Sequence, residues 1–112
     1  MPRERLSNRR ESENITFWHA GRPYTARVSF YPDGRLAEVF LDNGKVGSDA
    51  QVNCRDAAVS VSLLLQYGCP AADLAKSLSR TDRGEAESAI GALLDLLAAE
   101  PANTNQPRSA TG

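Results

Sequence analysis

Hydrophobic and polar positions alternate with two different periods along this chain, and the change of period separates a strand-forming half from a helix-forming half. Ile15 and Phe17 alternate with Thr16 and Trp18, and after the turn Ala20-Gly21-Arg22-Pro23 the positions Tyr24, Ala26, Val28 and Phe30 alternate with Thr25, Arg27 and Ser29. A period of two is the mark of a half-buried strand. Pro32-Asp33-Gly34 predicts a tight turn, because proline presets φ and glycine supplies positive φ. A third strand is expected from about Arg35 to Leu41, ended by Asp42-Asn43-Gly44. Such short links between successive strands imply an antiparallel meander.

The period then becomes helical. Ser48 and Gln51 have the spacing of a capping box, in which the Ser48 side chain accepts from the Gln51 amide and the Gln51 side chain returns to Ser48. Asp49 suits the positive end of the helix dipole. Cys54, Ala57, Ala58, Val61, Leu64 and Leu65 recur at helical spacing and predict a buried face on a helix over 49–67, closed by Gly68 and Pro70. A short helix is expected from Pro70, with Leu74 and Leu78 one turn apart. The Thr81-Asp82-Arg83-Gly84 loop leads into a last helix over about 85–99, whose face is Ile90, Leu93, Leu94 and Leu97. Residues 1–13 lack an apolar period and are expected to be a disordered arm. Residues 14–99 are expected to be one domain, and 100–112 a disordered tail. The predicted fold class is α+β: a three-stranded antiparallel meander packed by a long helix, then two further helices. The long helix is needed because a three-stranded meander is unstable unless one face is covered.

Length and charge narrow the function. The 112 residues suit one domain. The formal net charge of -1 gives no field that would favour nucleic acid or an anionic membrane. No apolar run reaches bilayer length and no signal peptide is visible, so a cytoplasmic location is expected. Cys54 and Cys69 lie near opposite ends of the predicted helix, roughly 22 Å apart at 1.5 Å per residue, which is too far for a disulfide. Two cysteines and one histidine without a CxxC pair give no zinc framework. No metal and no cofactor is expected.

The best candidate for chemistry is the turn containing Gly44, Lys45, Gly47 and Ser48. It is glycine-rich and basic and leads into a helix N-terminus, where free backbone donors can hold an anion. Its order and spacing are not those of a phosphate loop, and Asp49 competes for the same positive potential. A plain strand-to-helix turn is the competing reading. His19, the only histidine, has no evident nucleophile partner. Asp33 and Glu38 could meet across the sheet edge. Trp18, Tyr24, Phe30, Tyr31 and Phe40 with Arg22, Arg27 and Arg35 could bind single-stranded nucleic acid on a small sheet, but near-neutral charge favours core positions for the aromatics.

Several blocks together resemble a known family. Tyr31-Pro32-Asp33-Gly34-Arg35, Glu38-Val39-Phe40, Gly44-Lys45, Gly47-Ser48, Ser60-Val61-Ser62-Leu63 and Leu65-Gln66-Tyr67-Gly68-Cys69-Pro70 are similar, in order and spacing, to the TSCPD domain at the C-terminus of adenosylcobalamin-dependent ribonucleotide reductases. The likeness covers about residues 15–79, and more loosely the last helix, where Ser88-Ala89-Ile90 is similar to a family helix start. The departures bear on activity. The Thr-Ser-Cys-Pro-Asp string is absent, and only Cys69-Pro70 is similar to part of it. Leu36-Ala37 replaces a family Pro-Gly. The reductase barrel with its radical and reductant cysteines has no room in this chain, and no cysteine follows Glu100. The resemblance implies a stand-alone accessory or interaction module, not catalytic alone, that docks on a reductase or another protein through the sheet or the last helix. The alternative is a small nucleotide- or anion-binding protein using Gly44–Ser48. A third reading is a component of ribonucleoside-diphosphate reductase activity, and so of DNA synthesis. An enzyme centred on Cys69 or His19 ranks last.

Overall fold

The computed structural model describes residues 2–8 and 10–99. Three strands form one antiparallel sheet in the order β1-β2-β3: β1 Glu11–His19, β2 Arg22–Phe30 and β3 Leu36–Asp42. Three helices follow among the described residues: α1 Asp49–Gln66, α2 Ala71–Ser77 and α3 Ala89–Ala99. The expected α+β meander with its covering helix is the observed architecture. The tail expected at 100–112 lies outside the described residues.

The register explains the core. His19 pairs with Arg22 across a two-residue turn, and from there Phe17 meets Tyr24, Ile15 meets Ala26 and Glu13 meets Val28. Ala26 and Val28 continue onto Leu41 and Val39 of β3. Alternate residues of the three strands therefore point to one face, where Phe17, Ala26, Val28, Val39 and Leu41 are buried against α1 and α3. Leu93 and Leu94 of α3 are buried in the same cluster, with Ile90 and Leu97 beside them.

Two polar residues on the buried face of α1 fix the helix to the sheet. Ser62 Oγ accepts from the Val39 amide at 2.9 Å and donates to the Val39 carbonyl at 3.0 Å. Gln66 Nε2 donates to the Ala37 carbonyl at 3.1 Å. β3 is an outer strand, and these are the backbone groups that a neighbouring strand would otherwise take. This attachment sets the rotation of α1. Leu64, placed on the buried face by its spacing, is 46% exposed, while Ser62 and Gln66 are buried. The C-terminus closes as expected at Gly68. Its φ of 101° lets Cys69 N donate to Leu64 O at 2.9 Å and Gly68 N to Leu65 O at 3.0 Å, the paired bonds of a Schellman motif.

Four further differences from the sequence reading have local causes. β1 starts at Glu11 rather than near Ile15, because β2 is nine residues long and its last four residues, Arg27–Phe30, pair with the polar stretch Glu11–Asn14. Ahead of it, Glu4 ties the segment to the domain: its amide donates to Gln66 O at 2.7 Å and its carbonyl accepts from Tyr31 Oη at 2.6 Å. α3 starts at Ala89, not near residue 85. Thr81 N donates to Glu85 O and Glu87 N to Ser79 O, so 79–87 form a small hairpin, and Ser88 caps the helix by accepting from Gly91 N at 3.1 Å. The aromatics divide between core and surface: Tyr31 is buried, but Trp18 is 70% exposed, because it shares the outward parity of Thr16. Phe40 is exposed on the same outer face, under the Arg27 guanidinium at 5.8 Å.

Ser62→Ala leaves the buried Val39 amide without its acceptor and should cost about 1–3 kcal/mol. The exposed control Ser60→Ala should stay within about 0.5 kcal/mol. Urea denaturation of the two variants beside the parent checks this.

Candidate functional site

The turn between β3 and α1 brings Gly44, Lys45, Gly47 and Ser48 together, and their amides are all engaged within it. Gly44 N donates to Asp42 Oδ1 at 2.8 Å, Lys45 N to Asn43 Oδ1 at 3.0 Å and Ser48 N to Lys45 O at 3.1 Å. Ser48 Oγ accepts from Gln51 N at 3.1 Å, as the capping box requires. The return bond differs by one residue: Gln51 Oε1 accepts from Gly47 N at 2.9 Å, not from Ser48 N. Gly47 has φ of 80°, which turns its amide toward Gln51, while the Ser48 amide is taken by the Lys45 carbonyl. Gln51 Nε2 also donates to Asp42 Oδ1 at 3.1 Å. The Asp42 carboxylate thus holds the Gly44 amide and the Gln51 side chain together at the start of the turn. The Gly44 amide, and then the Gln51 side chain, hold the Asp42 carboxyl below its usual range.

The remaining candidates do not assemble into an acid–base pair. Asp33 accepts from Arg35 Nε at 2.7 Å, and Glu38 pairs with Arg10 at 3.2 Å, so the two carboxylates serve different partners. Cys54 and Cys69 are both free thiols, and burial, with the Asp42 charge second, pushes the Cys54 thiol up, away from thiolate. His19 Nε2 lies 3.0 Å from the Glu87 carbonyl; a carbonyl only accepts, so this nitrogen carries the proton and donates.

His19 also marks a feature that sequence reasoning missed. An open groove of about 960 Å³ runs between the end of β1 at Phe17–Ala20, the hairpin at Gly84–Glu87 and the α3 residues Ala92, Asp95 and Leu96. Arg80, which does not line the groove, braces two residues of its far wall, Asp95 and Gly84. It grips Asp95 with two bonds, 2.6 and 2.9 Å, and donates to the carbonyls of Ala75 at 2.7 Å and Gly84 at 2.8 Å. That guanidinium holds the Asp95 carboxyl below its usual range. The signal available in the sequence was Trp18, a large aromatic on the polar parity of its strand.

Residues 2–100 match the TSCPD domain family. The chain belongs to that family. Vitamin B12-dependent ribonucleotide reductases are similar to it: that of Agrobacterium fabrum is 32% identical over 79 residues, covering 70% of this chain and 6% of the reductase. The Rhodopirellula baltica protein is 34% identical over 79 residues, 70% of this chain and 8% of its own. The Bradyrhizobium diazoefficiens protein is 37% identical over 68 residues, 61% and 5% of the two chains. This TSCPD domain therefore spans less than a tenth of those relatives. No solved structure gives a significant match. No helix among the described residues is long and apolar enough to cross a membrane.

Two measurements check the turn. Ser48→Ala should cost about 0.5–2 kcal/mol as a lost N-cap, while Lys45→Ala should change stability little. The Asp42 pKa is lower in the folded chain than in the unfolded one, so its contribution is present above the unfolded value of about 3.9 and is lost as pH falls through the folded value. Asp42→Asn keeps an oxygen acceptor for Gly44 but cannot titrate. Its stability deficit should therefore be largest near neutral pH and shrink on acidification, as read by thermal melts from pH 7 downward.

Proposed function

We propose that this TSCPD domain is an accessory interaction module of ribonucleotide reduction in the cytoplasm. It docks on a reductase or a related protein and does not turn over substrate alone. The observation that carries the reading is the solvent side of α1. Val52, Val59, Leu63 and Tyr67 are spaced seven, four and four residues apart, and all are exposed, Val59 at 58%. At 100° per residue they fall on one stripe about 80° wide that flanks the buried face, roughly 22 Å long at 1.5 Å per residue. Single exposed apolar side chains are ordinary, whereas a continuous row marks a surface that a partner covers. Asp56 lies within the row and supplies a polar contact.

The chemistry described above supports the same reading. The Cys54 thiol is disfavoured as thiolate, and His19 spends its proton on a backbone carbonyl. The alternative, a nucleotide or other anion at Gly44, Lys45, Gly47 and Ser48, needs amides that are hydrogen-bonded inside the turn, and it ranks second for that reason.

The purified domain should form a complex with the purified vitamin B12-dependent reductase of the same cell in sedimentation or calorimetry. Val59→Asp with Leu63→Asp should weaken that complex without unfolding the domain. ATP titration should leave the Gly47 and Ser48 amide signals unmoved. Ribonucleotide reduction by the domain alone, with adenosylcobalamin and a dithiol, would overturn the accessory reading. Saturable ATP shifts abolished by Lys45→Ala would favour the alternative.

A further inference from the structure

The sheet has two outer edges, and the fold treats them differently. In a hairpin with a two-residue turn, bonded pairs alternate from the closing pair, here His19 and Arg22. Residues 19, 17, 15, 13 and 11 therefore exchange hydrogen bonds with β2, and Ser12, Asn14, Thr16 and Trp18 turn their amides and carbonyls to the open side. The same alternation makes Ala37 and Val39 the outward residues of β3, where Ser62 takes both the amide and the carbonyl of Val39 and Gln66 takes the carbonyl of Ala37. Among the described residues, no strand or helix side chain does this for β1. The groove lies beside the Phe17–Ala20 end of that edge.

The groove has the features of a strand-binding slot. One wall is the strand edge from Phe17 to Ala20, and the other is α3 with the hairpin at Gly84–Glu87. Phe17, Ala92 and Leu96 give it an apolar lining, and Trp18 stands exposed at its rim. The His19 bond to the Glu87 carbonyl holds one end closed. Its free charge is negative. Asp95 is neutralised by Arg80, but the lining residues Glu85 and Glu87 are in no ion pair among the described residues.

We infer that this groove binds an extended segment of a partner protein as a fourth strand on β1, and that the segment alternates apolar and basic side chains. Backbone bonds to Asn14, Thr16 and Trp18 supply affinity, and alternate side chains supply specificity. The apolar side chains enter between Phe17 and Leu96. The basic ones lie over Trp18, where a cation is attracted by the indole face, and near Glu85 and Glu87. A second copy of this chain fits less well, because its own β1 would bring Glu11 and Glu13 toward the same carboxylates. The site is separate from the α1 stripe, so the reductase complex and the peptide site can each fail without the other.

The test uses the full chain and an acetylated, amidated peptide of nine residues, the length of β1, in which lysine and valine alternate. A glutamate–valine peptide of the same length is the control. Trp18 is the only tryptophan, so its fluorescence reports the site directly. The lysine–valine peptide should give a saturable change in that fluorescence and should slow amide hydrogen exchange at Asn14, Thr16 and Trp18. The glutamate–valine peptide should do neither. Thr16→Pro removes an outward donor without touching the bonds to β2 and should abolish binding. Glu85→Lys with Glu87→Lys, a surface change that leaves the core intact, should weaken the basic peptide by about three- to tenfold and improve the acidic one. A flat titration, equal binding of both peptides, or protection at Gly47 and Ser48 instead of β1 would overturn the proposal. So would protection of β1 that depends on protein concentration without peptide, which would assign the edge to a second copy.

Discussion

The constraint on which the rest of this structure depends is the hydrogen bonding of the β3 edge. Three strands make a sheet with two open sides, and buried backbone groups left unpaired there would each cost about as much as a lost hydrogen bond. Ser62 answers this for Val39 with a donor and an acceptor in one hydroxyl, so that a helix side chain stands in for a neighbouring strand. Gln66, one turn on, donates to the Ala37 carbonyl, and its own carbonyl and side-chain oxygen receive Glu4 and Arg3 from the N-terminal segment. The position of α1, the anchoring of residues 3 and 4 and the exposure of Leu64 all follow from this pair. The apolar stripe proposed as a docking surface flanks that buried face on the same helix, turned outward by the same attachment.

Arg80 has the corresponding role at the other end. Its guanidinium links the end of α2, the 79–87 hairpin and α3 by contacts to Ala75, Gly84 and Asp95. This fixes the hairpin, which meets β1 at the bond between His19 and the Glu87 carbonyl and leaves the groove beside that contact. α3 approaches the hairpin so closely there that a Cβ on Gly91 would meet Ala86 Cβ and Ser88 Oγ, each at 3.2 Å. A glycine inside a helix costs roughly 0.5–1 kcal/mol relative to alanine, and here that cost permits the approach. One sheet edge is thus closed by helix side chains, while the other faces a groove whose walls are fixed.

How far the sequence reveals this fold depends on where burial is decided. Tyr24 to Phe30 and Ala50 to Leu65 face one large apolar surface each, so their periods appear directly in the residue types. Glu11 to Asn14 belong to a strand because β2 pairs with them, and nothing in four polar residues announces a partner strand. The start of α3 is hidden for a similar reason: Glu85-Ala86-Glu87 has good helix propensity, but the hairpin bonds from Ser79 and Thr81 outweigh it. Ser62 and Gln66 look like solvent positions until the unpaired edge of β3 is known. At the candidate turn, Ser48 and Gln51 were legible as a cap. The capture of the Gly47 amide and the role of Asp42 were not, since both depend on the path of the backbone after β3.

The residues that carry the family resemblance make their own argument about what it transfers. Tyr31 binds the Glu4 carbonyl, Asp33 and Arg35 bind one another, and Ser62 and Gln66 hold β3. Gly47 and Ser48 shape the entry to α1, and Gly68 shapes its exit. Each of these side chains or turns is engaged in building the domain. The likeness to much larger reductases is therefore carried by positions with architectural work. The outer stripe of α1 draws on both sets, with Leu63 and Tyr67 inside the similar blocks and Val52 and Val59 outside them, while Thr16, Trp18, Glu85 and Glu87 beside the open edge of β1 lie outside them. What the likeness transfers is therefore the framework, and function has to be argued from the surfaces that the framework displays.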